Sequence, residues 1–157
     1  MRSYILAAAA AVSLGSPVFA GEIWITNEKG NTVSVIDVDT LEMVRTIDVG
    51  QRPRGIVFSK DHSKVYVCAS DDDTVQVIDP DTGDVLYELP SGYDPEQFAL
   101  HPNDRYLYIA NEDDAITTVV DTEEREVVAQ IDVGIEPEGI AVSPDGKRVA
   151  IVGVPAE

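Results

Sequence analysis

QRPRGIVFSKDHSKVYVCASDDDTVQVIDPDTGDVLYELPSG, residues 51–92, decides the architecture of this 157-residue chain. The stretches before and after it follow the same plan. Val33, Val75 and Thr117 are spaced by 42, and the same step relates Asp37, Asp79 and Asp121. It also relates Gly50, Gly92 and Gly134, then Pro53, Pro95 and Pro137, then Trp24, Tyr66 and Tyr108, with no insertion or deletion. A unit of this size cannot bury its own apolar face and must stack on a copy of itself.

The central copy holds four apolar runs, Gly55–Ser59, Lys64–Ser70, Thr74–Asp79 and Val85–Leu89, separated by turn formers such as Asp81-Thr82-Gly83. The runs are rich in Val, Ile and Tyr, and several alternate with period two, which is the mark of strands rather than helices. Four antiparallel strands in one repeat of this length make a propeller blade. The expected fold is all-β, a β-propeller of four-stranded blades. It is incomplete in this chain: a partial blade at 22–49, full blades at 53–91 and 95–133, and a partial blade at 137–154. Such a chain reads as an interrupted copy of a longer product or as one part of a homo-oligomer, because its end blades leave apolar surface open. Asp37, Asp79 and Asp121 close the third strand of each copy, where they are expected to accept backbone N–H groups of the next turn. Pro53, Pro95 and Pro137 are expected just ahead of the inner strands.

Residues 1–20 read as a secretory signal peptide, with Arg2, an apolar stretch from Tyr4 to Leu14, and Val18 and Ala20 at a small-residue cleavage site. The stretch is too short for a membrane span. A periplasmic location follows as an expectation. The formal net charge is −18, and loss of Arg2 with the leader makes it more negative still. That charge repels nucleic acid and anionic lipid, suits a basic protein or divalent cations, and also serves plain solubility. Cys68 is the only cysteine, so the chain has no internal disulfide, and its place in an apolar run marks a buried small side chain. His62 and His101 fall in or beside turns, without zinc spacing.

In a four-stranded meander the second-to-third and fourth-to-first connections share one face. That places Glu28, Asp71, Asp72, Asp73, Glu112, Asp113 and Asp114 beside Arg52, Arg54, Asp94, Glu96, Glu136 and Glu138. This rim is the candidate interaction face, and it also suits a solvated acidic surface or a hard cation such as calcium. Asp79-Pro80-Asp81-Thr82-Gly83 lacks the later ligands of an EF-hand loop, and neither a phosphate loop nor a nucleophile elbow is present. The inner strands carry Ile56, Val57, Phe58, Phe98, Ala99, Leu100, Ile140, Ala141 and Val142, a channel wall without polar ligands. A lactonase-like metal enzyme is therefore disfavoured, and no cofactor is expected.

Trp24-Ile25-Thr26-Asn27, Tyr66-Val67-Cys68-Ala69 and Tyr108-Ile109-Ala110-Asn111 resemble the signature of the YVTN-family β-propeller repeats, as do residues 32–37 and 137–146. Arg52-Pro53-Arg54-Gly55, residues 67–79 and Asn111-Glu112-Asp113-Asp114 are similar to exported propellers associated with PQQ-dependent alcohol catabolism. That resemblance implies a binding or scaffolding module near quinoprotein dehydrogenases and c-type cytochromes, with no agreed catalytic residues. A basic c-type cytochrome or a quinoprotein dehydrogenase is the partner it implies. The chain has no Cys-x-x-Cys-His of its own for covalent haem.

Overall fold

The computed structural model describes residues 21–154; the expected leader lies outside them. Thirteen strands follow one another. They are β1 (Glu22–Asn27), β2 (Thr32–Asp37), β3 (Met43–Asp48), β4 (Pro53–Phe58), β5 (Val65–Ala69), β6 (Thr74–Ile78), β7 (Val85–Pro90), β8 (Pro95–Leu100), β9 (Tyr106–Asn111), β10 (Ile116–Asp121), β11 (Glu126–Asp132), β12 (Ile135–Val142) and β13 (Val149–Val154). They form four antiparallel meanders: β1-β2-β3, β4-β5-β6-β7, β8-β9-β10-β11 and β12-β13. The fold is a partial β-propeller. The one helical turn among the described residues is a short 3₁₀ segment at Ser70–Asp72.

The core lies between sheets. Trp24, Val33, Val35 and Ile47 of the first sheet pack against Val65, Val67 and Ile78 of the second. Tyr66, Cys68, Val75, Val77 and Leu89 of the second pack against Phe98, Leu107, Ile109 and Val120 of the third. Successive residues of a strand point to opposite faces. In β5, Val65 and Val67 therefore face one neighbour while Tyr66 and Cys68 face the other, so every residue of β5 is buried. The outer strand β11 is exposed at every residue.

Residues in the left-handed region recur every repeat in or beside the connections: Asn31, Asp73 and Ala115; Leu41, Gly83 and Arg125; Arg52, Asp94 and Glu136; His62, Asp104 and Gly146. His62 thus stands where the fourth copy has a glycine. His101 takes the place of Ser59 and Ser143 in the first turn of its blade. Its Nδ1 accepts the Asn103 N–H at 3.2 Å. The three strand-ending aspartates do what was expected of them. Asp37 Oδ1 accepts the N–H groups of Asp39 and Thr40, Asp79 Oδ1 those of Asp81 and Thr82, and Asp121 Oδ1 those of Glu123 and Glu124.

One expectation needs correction. Pro53 and Pro95 do not precede the inner strands but open them, and Pro137 lies inside β12. The ladder breaks register between Pro53 and Ile56 and between Pro95 and Gln97. A bulge of this kind accommodates a residue without an N–H. The inner strands therefore begin on polar residues, and Arg54, Glu96, Gln97 and Glu138 belong to them.

Candidate functional site

The bulged starts of β4 and β8 lift their side chains onto the rim. The shared face expected from the meander is formed, and two arginines hold it together. Arg52 Nη1 lies 2.9 Å from Asp94 Oδ1 and 3.4 Å from Asp71 Oδ1; its Nη2 lies 3.4 Å from Glu96, and its Nε 3.4 Å from Glu28. Arg54 pairs with Glu96, with Glu112 at 3.7 Å and with Glu28 at 3.8 Å. Asp94 and Glu96 are the covered members, with side chains 13% and 7% exposed, while Arg52 keeps 31%. Burial pushes the Asp94 carboxyl above its usual range, offset in part by Arg52 and reinforced by Glu112 and Asp113. Burial alone would lower the Arg52 guanidinium, but its bonds to Asp94, Glu28 and Asp71 outweigh that and raise it.

Beside Arg54 opens a polar cleft of about 450 Å³, lined by Thr26, Glu28, Pro53, Arg54, Glu96, Gln97 and Glu138. Thr26 and Gln97 were not singled out from the sequence. Gln97 carries a readable signal, since it takes the place of Gly55 and Gly139 at the fixed step.

Other expected rim residues serve the backbone instead. Asp72 Oδ2 accepts the Gln51 N–H at 2.7 Å, and Asp114 Oδ2 accepts the Tyr93 N–H at 2.8 Å, one repeat later. Asp73 Oδ1 accepts the Asp94 N–H at 3.0 Å, as Asn31 Oδ1 does for Arg52. These carboxylates pin the connection that leads into the next blade. Asp113 and Glu136 stand exposed at the edge. Asp94, Glu96 and Glu112 can each bring one oxygen within 4.8 Å of the others. The guanidinium of Arg54 already lies against two of them, so a divalent cation would have to displace it.

The Cytochrome D1 heme domain matches residues 61–155. The chain belongs to the cytochrome D1 heme domain family. Solved structures that share the fold of this family member include two of different origin. One is Kuenenia stuttgartiensis hydrazine synthase, 24% identical with a TM-score of 0.78, over 95% of this chain and 45% of that one. The other is a functionally unknown protein from Desulfotomaculum acetoxidans DSM 771, 20% identical with a TM-score of 0.67, over 78% of this chain and 41% of that one. The chain thus spans less than half the length of either structure. No curated protein matches it.

The family name raises the question of haem, whose iron is held by His, Cys, Met or Tyr. The described residues of this member of the cytochrome D1 heme domain family do not fit that group. His101 is turned into its own loop: Nδ1 accepts a backbone N–H, and Nε2 faces Gly146 so closely that a Cβ there would lie 2.3 Å away. His62 occupies a left-handed turn position and leans on Phe58. Cys68 is buried between blades, and burial pushes its thiol well up, against the thiolate a metal requires. Met43 and Tyr93 are exposed, Tyr66 is sealed in the core, Tyr87 lies under the Arg125 guanidinium, and Tyr106 and Tyr108 pack against His101. The polar cleft would set haem carboxylates against Glu28, Glu96 and Glu138.

Proposed function

We propose that this chain is an exported, non-enzymatic propeller module that binds a protein partner through its charged rim and works beside periplasmic cytochrome or quinoprotein systems. The observation that carries this reading is the rim itself. Guanidiniums of Arg52 and Arg54 knit Glu28, Asp71, Asp94, Glu96 and Glu112 into one network that remains open to water. A network of this kind is rigid, since each long side chain has several partners. It leaves unneutralised carboxylates at Glu138, Glu136 and Asp113 to meet cationic side chains. The strongly negative chain would steer a basic protein toward it. Membership of the cytochrome D1 heme domain family supports the cytochrome context, and the resemblance to exported propellers near quinoprotein dehydrogenases supports the compartment. Against an enzymatic role, the described residues pair neither histidine nor the thiol with a reacting partner.

The test is calorimetric titration with a purified basic c-type cytochrome and, separately, a quinoprotein dehydrogenase. It is run at about 20 mM and about 500 mM salt, which shortens the Debye length from roughly 20 Å to roughly 4 Å. Binding at low salt that weakens at least about tenfold at high salt, and weakens again in Glu138→Lys, supports the proposal. Absence of heat with both proteins at low salt removes it.

A further inference from the structure

Tyr93 is 62% exposed on the connection that leads from β7 into β8. Both strands belong to complete four-stranded blades in the middle of the chain. An exposed side chain on a loose loop loses ordering entropy when it binds. Here the backbone is already held. The Tyr93 N–H donates to Asp114 Oδ2 at 2.8 Å, and the Asp94 N–H donates to Asp73 Oδ1 at 3.0 Å. One carboxylate from each of the two blades thus fixes the peptide groups on either side of the Tyr93 Cα. The Asp94 carbonyl accepts the Glu112 N–H at 3.0 Å as well.

The preceding repeat shows what this position does without a ring. Gln51 makes the same N–H bond, to Asp72 Oδ2, and then turns its side-chain amide back onto Oδ1 of that carboxylate at 3.1 Å. Tyr93 makes no such return bond among the described residues, and its ring stays in water. Elsewhere the chain covers aromatic faces with its own guanidiniums. Arg45 lies 5.3 Å from the ring centre of Trp24, Arg125 3.7 Å from that of Tyr87 and Arg105 5.8 Å from that of Tyr106. Tyr108 packs against His101, and Tyr66 is sealed in the core. Among the described tyrosines, Tyr93 alone has neither a cation nor a ring over it.

We propose that Tyr93 is the anchor of the charged rim, an open aromatic face that takes the cationic side chain of a lysine or arginine on the partner. This inference rests on the rim reading above and adds the one residue that gives the contact an aromatic component. A cation is drawn to the negative face of the ring, and carboxylates nearby strengthen the pull. Asp114, bonded to the Tyr93 N–H, and Asp113, exposed in the same turn, supply that charge. A rigid, exposed tyrosine among polar neighbours is also the type of side chain that dominates binding at protein interfaces.

Tetralysine is the probe, titrated at about 20 mM salt, where screening is weak, into the purified protein carrying ring-labelled tyrosine. Tyr93→Phe assigns the Tyr93 resonance. A saturable shift of that resonance, with Tyr66 unmoved, is expected, and it reads the contact in the parent chain without any substitution. Tyr93→Leu should weaken tetralysine roughly two- to fivefold, the size of an exposed cation–π contact. Tyr93→Phe should bind as the parent does, because the ring face remains, and Asp113→Asn should bind more weakly. Tetralysine that binds without moving the Tyr93 signal, that binds Tyr93→Leu as tightly as the parent, or that does not bind at all would each overturn the proposal. Failure of the rim reading is a separate result: it shows as absence of heat with the cytochrome and the dehydrogenase, whatever tetralysine does.

Discussion

Arg52 and Asp94 occupy the same position of successive repeats, and they form an ion pair at 2.9 Å. Arg54 and Glu96 repeat the relationship two residues on. One opposite-sign substitution at a fixed place in the repeat thus converts a column of like residues, Asp94 and Glu136 with their neighbours, into a bridge between adjacent blades. Both arginine side chains are about one-third exposed, while their partners Asp94 and Glu96 are largely covered, so the bridge is partly desolvated on its acidic side.

Arg52→Met should cost about 1–2 kcal/mol at neutral pH, between the values for exposed and buried pairs. An acid whose folded pKa is raised supports the fold fully below its unfolded pKa and loses that support as pH rises through the folded value. Asp94 is raised by burial even with Arg52 present, and removing the guanidinium raises it further. The penalty should therefore shrink as pH falls toward about 3, where Asp94 is protonated in both states. Urea unfolding at both pH values checks this, and an equal penalty at each would contradict it.

Asp61 gives the opposite pH signature. Its carboxylate accepts the Ser63 N–H at 2.9 Å, the Ser63 hydroxyl at 2.7 Å and the Ser59 hydroxyl at 2.8 Å, and these bonds hold it down to about 2. Its support for the fold is complete above the unfolded value near 3.8 and is lost as pH falls toward 2. Asp61→Ala should flatten that acid limb in a plot of Tm against pH while leaving the neutral limb parallel to the parent.

Leu41 has a φ of 59° on an exposed turn where the next repeat has Gly83. Leu41→Gly should stabilise the chain by about 1 kcal/mol through relief of left-handed strain. Gly83→Ala should cost a similar amount or more, since its Cβ would also lie 3.2 Å from Ile47. Thermal melts of the two variants should move in opposite directions.

Leu89→Ala should cost about 2–5 kcal/mol, the range for a large side chain removed from a sealed core. Ile131→Ala, at the same repeat position, should cost less than about 1 kcal/mol in a single chain, because half of that side chain is already in water. Denaturant titrations of the pair make the comparison, and equal losses would contradict it.

The fixed 42-residue step, read with its Val-rich runs and turn formers, was enough by itself to define the propeller and the aspartate-closed turns. Those features are local and periodic, so each copy confirms the next. The shared face of Glu28, Arg52, Asp71, Asp94, Glu96 and Glu112 was legible too, because meander connectivity dictates which connections lie together. What remained hidden was the division of labour among its acids. Asp72, Asp73 and Asp114 hold backbone N–H groups while Asp94 and Glu96 hold guanidiniums, and nothing in composition separates the two groups. That outcome depends on which donor the folded chain brings to each carboxylate, and on bulges at Pro53 and Pro95 that place polar residues inside strands expected to be apolar. Tertiary packing alone also decided which face of each strand meets which neighbour, and so which isoleucines are left open, because a period-two pattern names two faces without saying what lies against either.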